Sequence, residues 1–323
     1  MCIKSQPIKK NENKKTIKRI LSVKSGKKNP FIDTYELPSL SPPATTTAES
    51  IRGKGCKPAI LIQGVMPRCG SNYVGKLLSY HPDICPYPNE IHEFPVLKHA
   101  DDLLRMQDRF FSTYGHNKTR MGPIDFLPLF GSSMIAYLQS FSPEKKRLLL
   151  KTPYVDNLNL FFSLFPHEHL VIVLRDGRDV VRSTMKTWPG KYAFDRLCRS
   201  WDSSAKKILR FHAFHAEADR PYLLVKFEDV FHDPHRFVSD ACEKFNLNER
   251  VYPYEKINQT PVIGSSSLKS EGKVTWKGVQ KPKNFNPTGR WKAWPLKKKK
   301  IFGKYAGDTL RQAGYWSDFE WVK

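Results

Sequence analysis

Four short apolar runs, each followed by a stretch of helical spacing, constrain the fold of this 323-residue chain more than any other feature. The runs are 59–64 (AILIQG), 146–151 (KRLLLK), 169–174 (HLVIVL) and 222–227 (YLLVKF), each the length of a buried strand. Helices are expected at 71–80, 156–165, 178–187, 195–217 and 234–245, with another after Leu296 and a long helical stretch through 94–140. This alternation predicts an α/β fold, a three-layer sandwich around a central parallel sheet, because parallel neighbours can be joined only by long crossovers. Pro82, Pro86 and Pro88 break the chain after the first helix, and no internal repeat is visible.

The 40% apolar and 12% aromatic content is that of a globular protein, and no apolar run approaches the roughly 18–20 residues of a membrane span. Residues 1–57 are Lys/Asn-rich and then Pro/Ser/Thr-rich, which reads as a basic, disordered tail and linker ahead of a single domain at 58–323. A transit peptide would share this composition, but Glu12, Asp33 and Glu36 count against it. Six scattered cysteines without metal-ligand spacing read as reduced thiols of a cytoplasmic protein. The Golgi lumen or an organelle is the alternative if an anchor or transit segment directs the chain there. The formal charge is +23, and residues 269–300 alone carry eleven basic residues against one acid. Such a field draws nucleotides, nucleic acids, acidic glycans or acidic lipid surfaces, without choosing among them.

Two places have the makings of a phosphate grip. Residues 64–73 (GVMPRCGSNY) lie between a strand and a helix, where backbone N–H groups and the positive helix end form an anion cradle. Gly70 lets the backbone approach closely, Ser71 and Asn72 bring side-chain donors, and Arg68 brings charge. The spacing is not that of a Walker A loop: Gly64 to Gly70 is one residue too long, and no Lys-Ser/Thr pair closes it. An ordinary capped helix would account for the same residues. The second place is 170–183 (LVIVLRDGRDVVRS), where a buried strand ends on Arg175 and the next helix carries Ser183. A Walker B strand would end in an acid to hold magnesium, whereas one ending in arginine suits a donor that needs no divalent metal. The plainer reading is a solvated turn with Asp179 near a helix N-terminus, a favourable place for an acid. The first loop, in register with it, favours the phosphate grip.

These motifs resemble those of sulfotransferases that use 3′-phosphoadenosine 5′-phosphosulfate (PAPS), in particular the bacterial-type and tyrosyl-protein sulfotransferase-like branch. Pro67-Arg68-Cys69-Gly70-Ser71-Asn72, with Tyr73 after it, is similar to the family's Pro-Arg-Ser-Gly-Thr/Ser-Asn/Thr loop for the 5′-phosphosulfate. Arg175 and Ser183 match its pair for the 3′-phosphate, and Lys151-Thr152-Pro153 resembles its Lys-Thr-Pro or Lys-Asp-Pro segment. Lys226-Phe227-Glu228-Asp229 resembles the Tyr-Glu-Asp strand end whose aromatic meets the adenine. Gly289-Arg290-Trp291-Lys292 resembles the late Gly-x-Trp-Lys loop that closes over the nucleotide. Cys69 stands where the family has serine and Phe227 where it has tyrosine. The likeness spans residues 58–300 and implies a P-loop NTPase-like sulfotransferase fold, PAPS as donor and no metal.

The reaction so implied is an in-line displacement at sulfur, with a hydroxyl or amine acceptor attacking and adenosine bisphosphate leaving. Arg68 and Lys151 are the expected stabilisers of the developing charge. The base is expected within 88–95 (PNEIHEFP): Glu90 first by distance from the loop, then His92 and Glu93. The 94–140 stretch is expected to form the acceptor side, and the acceptor stays open among carbohydrate, tyrosyl and small molecule. The basic surface leans toward an acidic glycan. Residues 264–267 (GSSS) read as a mobile lid or a flexible linker, and Lys297–Lys300 as a solvated helix face. Trp188 and Trp201 are expected in the core, and His212 and His215 show no ligand partner. The competing enzyme is a P-loop nucleotide or small-molecule kinase, which the missing Walker residues oppose. A basic nucleic-acid-binding protein would explain the charge but not two phosphate sites, so no nucleic-acid partner is expected.

Overall fold

In a computed structural model of the chain, the described residues are 30–31, 34–142, 146–270, 273–318 and 320–322, so residues 1–29 of the tail and linker expected at 1–57 lie outside them. Strands β1 (Ile60–Gly64), β2 (Ile84–Pro86), β3 (Arg147–Thr152), β4 (His169–Leu174) and β5 (Tyr222–Lys226) form one wholly parallel sheet in the order β2-β3-β1-β4-β5. β1, β3 and β4 are almost continuously buried, which explains why they read as unbroken apolar runs rather than alternating ones. A two-stranded antiparallel ribbon, β6 (Lys269–Ser270) and β7 (Lys273–Val274), stands apart from the sheet.

The helices are α1 (Pro42–Arg52), α2 (Ser71–Leu78), α3 (Ala100–Thr113), α4 (Phe126–Gln139), α5 (Phe161–Leu164), α6 (Gly177–Thr187), α7 (Phe194–His215), α8 (Phe227–His232), α9 (Pro234–Lys244) and α10 (Leu296–Gln312). α2 packs on β1, β3 and α9, while α7, flanked by α6 and α10, packs on β4. Right-handed crossovers put these two groups on opposite faces, which completes three layers. The chain leaves β1 toward β3 and leaves β4 toward β5, so the carboxyl ends of β1 and β4 flank a topological switch point. Gly64 is in register with Val173, and Val65 N–H donates to the Val173 carbonyl at 3.0 Å. That register sets Arg175, two residues on, beside the loop that follows β1.

Three expectations need correction. The linker expected to reach residue 57 is, from residue 34 on, packed chain that includes α1. Ser41 caps this helix, accepting from Ala44 N–H at 3.3 Å and donating its hydroxyl to Asp125 Oδ2 at 2.7 Å. Only Ala44 and Ala48 are buried from α1, and such small side chains let it lie close on α4 without an apolar stripe visible in sequence. The folded body therefore begins before residue 58. The helical stretch expected through 94–140 is broken, with α3 and α4 separated around Gly115–Pro123. β2 lies in the segment that its prolines mark as broken, a three-residue edge strand whose final Pro86 an edge tolerates. Among the described residues Cys56, Cys69, Cys85, Cys198 and Cys242 are unpaired, and no helix is long and apolar enough to cross a membrane.

α1 is fastened at its end by Arg52, whose Nε lies 2.8 Å from Glu168 Oε1, both side chains being nearly inaccessible. Burial outweighs Arg52 and lifts the Glu168 carboxyl to about 7. Because the folded-state value is raised, the folded chain takes up this proton before the unfolded chain does. Stability from this group is thus greatest below the ordinary carboxylate range and is lost as pH rises through about 7. Arg52→Ala is expected to cost about 3 kcal/mol by urea unfolding at pH 8, and less at pH 5, where Glu168 is neutral with or without its partner. An equal loss at both pH values would contradict this.

Candidate active site

A cavity of about 380 Å³ opens at the switch point, lined by Arg68, Lys151, Arg175, Arg182, Lys281 and Arg290 against two acids, Glu93 and Asp179. The first loop builds one wall. Gly70 precedes α2 with φ 98°, and a Cβ there would run into the Phe227 ring. Arg68 also takes a left-handed φ, of 80°, a conformation costly for a side chain of its size. Cys69 turns its thiol inward, against the Cα of Gly64, and burial pushes that thiol up. The cysteine thus fills core space beneath the loop, while Gly70, Ser71, Asn72 and Tyr73 line the cavity.

Arg175 stands at the centre of the opposite wall. Its guanidinium donates from Nη1 to the Arg68 carbonyl at 2.8 Å and from Nη2 to the Pro287 carbonyl at 2.6 Å, with the Phe227 ring 4.3 Å away. Its Nε is buried and has no partner among the described residues. Ser183 Oγ accepts from Arg68 Nε at 3.2 Å and lies 3.3 Å from Ser266 Oγ. Arg68 also donates to the Gly264 carbonyl and sits between Trp188 and Trp276, at 6.0 and 5.4 Å from their ring centroids. Burial, with Arg175 beside it, pulls Arg68 down to about 10. Arg68 is expected with Lys151 at the developing charge, but in the structure its guanidinium is engaged by Ser183 and the Gly264 carbonyl.

Lys151 Nζ lies 3.8 Å from Glu93 Oε1, and burial lowers the lysine while Glu93 opposes the shift. Phe94 N–H donates to the Lys151 carbonyl at 2.8 Å, which fixes Glu93 against the end of β3. Glu90 and His92 are exposed and are not part of the lining; His92 rests on Tyr87 at 5.2 Å. The reason lies in the backbone, since Tyr87, Asn89 and Glu90 all have left-handed φ of 51–59°, which turns the loop so that Glu93 faces the cavity.

From the late loop only Arg290 reaches the lining. Gly289 takes φ 69°, Trp291 is buried with Arg178 3.7 Å from its ring, and Lys292 is exposed away from the cavity. Sequence reasoning misses other wall residues. Trp188, expected in the core, lines the cavity with Tyr154 and Trp276, whereas Trp201 is fully buried as expected. Phe231 stands beside Phe227 and Phe285 beside Phe231, and Ser265 and Ser266 line the cavity, Ser266 against Ser183. No described residue of 94–140 contributes to the lining, so that stretch does not form this wall. Among the described residues no group of three or more His, Cys, Asp or Glu is disposed to hold a metal ion.

A loop cradle after β1, Arg175 just beyond β4 and a cationic crevice between them make a site suited to an anionic ligand, and comparison with known proteins gives the class. A family model described as Sulfotransferase family matches residues 58–250. The chain belongs to the sulfotransferase family. Among curated proteins, none matches it significantly in sequence. Solved structures that it resembles include the sulfotransferase domain from the curacin biosynthetic pathway, at 17% identity and TM-score 0.49, covering 80% of this chain and 98% of that one. The sulfotransferase domain of the Synechococcus PCC 7002 olefin synthase is similar at 19% identity and TM-score 0.45, covering 79% and 97%. Retinol dehydratase in complex with retinol and PAP is similar at 14% identity and TM-score 0.46, covering 84% and 87%.

The contact between Gly70 and Phe227 makes a direct prediction. Gly70→Ala is expected to destabilise the fold by about 1–3 kcal/mol, because alanine is strained at this φ and its methyl displaces the ring. Chemical unfolding reads this, and an unchanged midpoint would contradict the close approach.

Proposed function

We propose that the chain transfers a sulfonyl group from PAPS to a hydroxyl or amine acceptor by in-line displacement. The observation that carries this reading is the charge of the cavity: six cations face two acids, Arg68 and Arg290 are pulled down by burial and then by neighbouring arginines, and Arg175 Nε has no partner among the described residues. A ligand with anionic groups at both ends relieves that repulsion, and family membership supports PAPS as that ligand. Arg175 and Ser183, with Arg68 beside them, hold the 3′-phosphate. Phe227, Phe231 and Phe285 offer flat apolar faces to the adenine. The first amides of α2, through Gly70, Ser71 and Asn72, take the sulfonyl end.

Glu93 acts as general base and takes the acceptor proton as the new O–S bond forms. Lys151, next to it, balances the charge left on the bridging oxygen as the bond to the departing adenosine bisphosphate breaks. Fixed cations supply the charge stabilisation in this reading, so no metal is assigned. Tyr154, beside Glu93, forms part of the acceptor side, and an aromatic face set in basic surroundings favours an acidic, ring-bearing acceptor such as an acidic glycan. The five thiols that are unpaired among the described residues support a reducing compartment, the cytoplasm.

The test is ligand stabilisation followed by turnover. Adenosine 3′,5′-bisphosphate (PAP) without metal is expected to raise the melting temperature; stabilisation by ATP with magnesium and none by PAP would favour a kinase instead. Arg175→Ala is expected to weaken PAP binding by about 10–100-fold, the worth of a lost charge-assisted hydrogen bond. Glu93→Gln should lower kcat by about 10²–10⁴-fold with PAP affinity retained, while Glu90→Gln leaves kcat unchanged. The reverse pattern would assign the base to Glu90.

A further inference from the structure

An acid is out of place in an anion-binding cavity, yet Asp179 stands on the wall beside Arg175, Arg182 and Arg290. Left free, its charge would repel the phosphate that these arginines are there to hold. It is not free: Asp179 is 3% exposed, and its two carboxylate oxygens are spent on another segment. Oδ2 accepts from Gly289 N–H at 2.6 Å and Oδ1 from Trp291 N–H at 3.1 Å. Nor does Asp179 cap its own helix. That task falls to Asp176, which accepts from Arg178 N–H at 2.9 Å.

We propose that Asp179 is the positioning residue of the late turn, a latch that holds residues 286–291 to the first turn of α6 and so presents Arg290 to the cavity. The role of Arg290 at the donor rests on the PAPS reading; the latch does not. Three connections run between the same two segments. Arg175 grips the Pro287 carbonyl, Asp179 grips the amides of Gly289 and Trp291, and Arg178 stacks on the Trp291 ring. The two amides point the same way only because Gly289 adopts φ 69°, and a single carboxylate then spans both, as it would span a nest of backbone donors. Between them stands Arg290, whose Nε donates to the Asn286 carbonyl at 2.6 Å and whose Nη1 reaches Ser267 Oγ. Thus the helix that carries Ser183 also sets the turn on the other side of the same ligand. Spending both oxygens on neutral amides keeps the acid's lone pairs away from the bound anion.

Asp179→Asn is nearly isosteric but keeps only one acceptor oxygen and sets its amide N–H₂ against the second backbone N–H. Amide hydrogen exchange at Gly289 and Trp291 in the otherwise folded protein is expected to accelerate at least about tenfold, equivalent to ~1.4 kcal/mol of local opening. PAP affinity should fall by a similar factor while kcat at saturating donor is preserved. Arg290→Ala should lower PAP affinity alike, and the double variant should lose less than the product of the two single losses. If Asp179→Asn does not fold, Asp179→Ser, which retains one acceptor, is read in the same way. Unchanged exchange at these two amides, or fully multiplicative losses in the double variant, would overturn the latch. A wild-type protein that does not bind PAP, with exchange still faster in Asp179→Asn, would instead sink the donor reading and leave the latch standing.

Discussion

One buried guanidinium organises the candidate site. Arg175 is 7% exposed, and a charge so buried is tolerated only where hydrogen bonds replace its water. Two carbonyls meet it, from Arg68 in the loop after β1 and from Pro287 in the late turn, and the face of Phe227 covers it. The same side chain therefore joins three segments that are far apart in sequence. Its unpartnered Nε marks where that compensation is incomplete. In the proposed reading an anionic ligand on the open side of the guanidinium completes it.

The residues after Arg175 divide the remaining work. Trp201 Nε1 donates to the Arg175 carbonyl at 3.0 Å, and its ring lies where a Cβ on Gly177 would stand, so that position must be glycine for α6 to approach α7. Asp176 caps α6 and pairs with Arg178 at 2.7 Å. Arg178 in turn is enclosed by Trp291, Trp316 and Trp321, with ring centroids at 3.7, 5.1 and 4.8 Å, which fastens the C-terminal segment to this turn. Glu228 accepts from Asp176 N–H and from the Tyr315 hydroxyl, both at 3.0 Å, and burial lifts it to about 7. Five consecutive residues, Arg175 to Asp179, thus have five separate structural tasks. A solvated turn accounts for none of them.

How much of this was legible in sequence depended on whether the signal was local. The four main strands show because each is a short apolar run between turn signals, and α6, α7 and α9 fall within a few residues of their expected spans. α1 hid because its buried face is two alanines amid threonines, although Ser41 before Pro42 and Gly53 after Arg52 are readable cap signals. Arg175, Ser183 and Gly70 could be named because strand ends and helix starts fix where they stand, and Lys151 through the resemblance of its Lys-Thr-Pro segment. Glu93 could not be separated from Glu90, since which side chain turns inward depends on left-handed residues at 87–90 that carry no glycine to announce them. Trp188, Trp276 and Phe285 reach the cavity from loops whose course only long-range packing sets. Trp291 lies in a motif that suggests ligand contact, but it serves that motif from behind.

The most direct test of the central claim is the structure of the chain in complex with PAP. The account predicts a 3′-phosphate oxygen within hydrogen-bonding distance of the Arg175 guanidinium and Ser183 Oγ, with the 5′-phosphate at the amides of Gly70 to Asn72. A nucleotide bound elsewhere, or bound in this cavity with its 3′-phosphate turned away from Arg175, would contradict it.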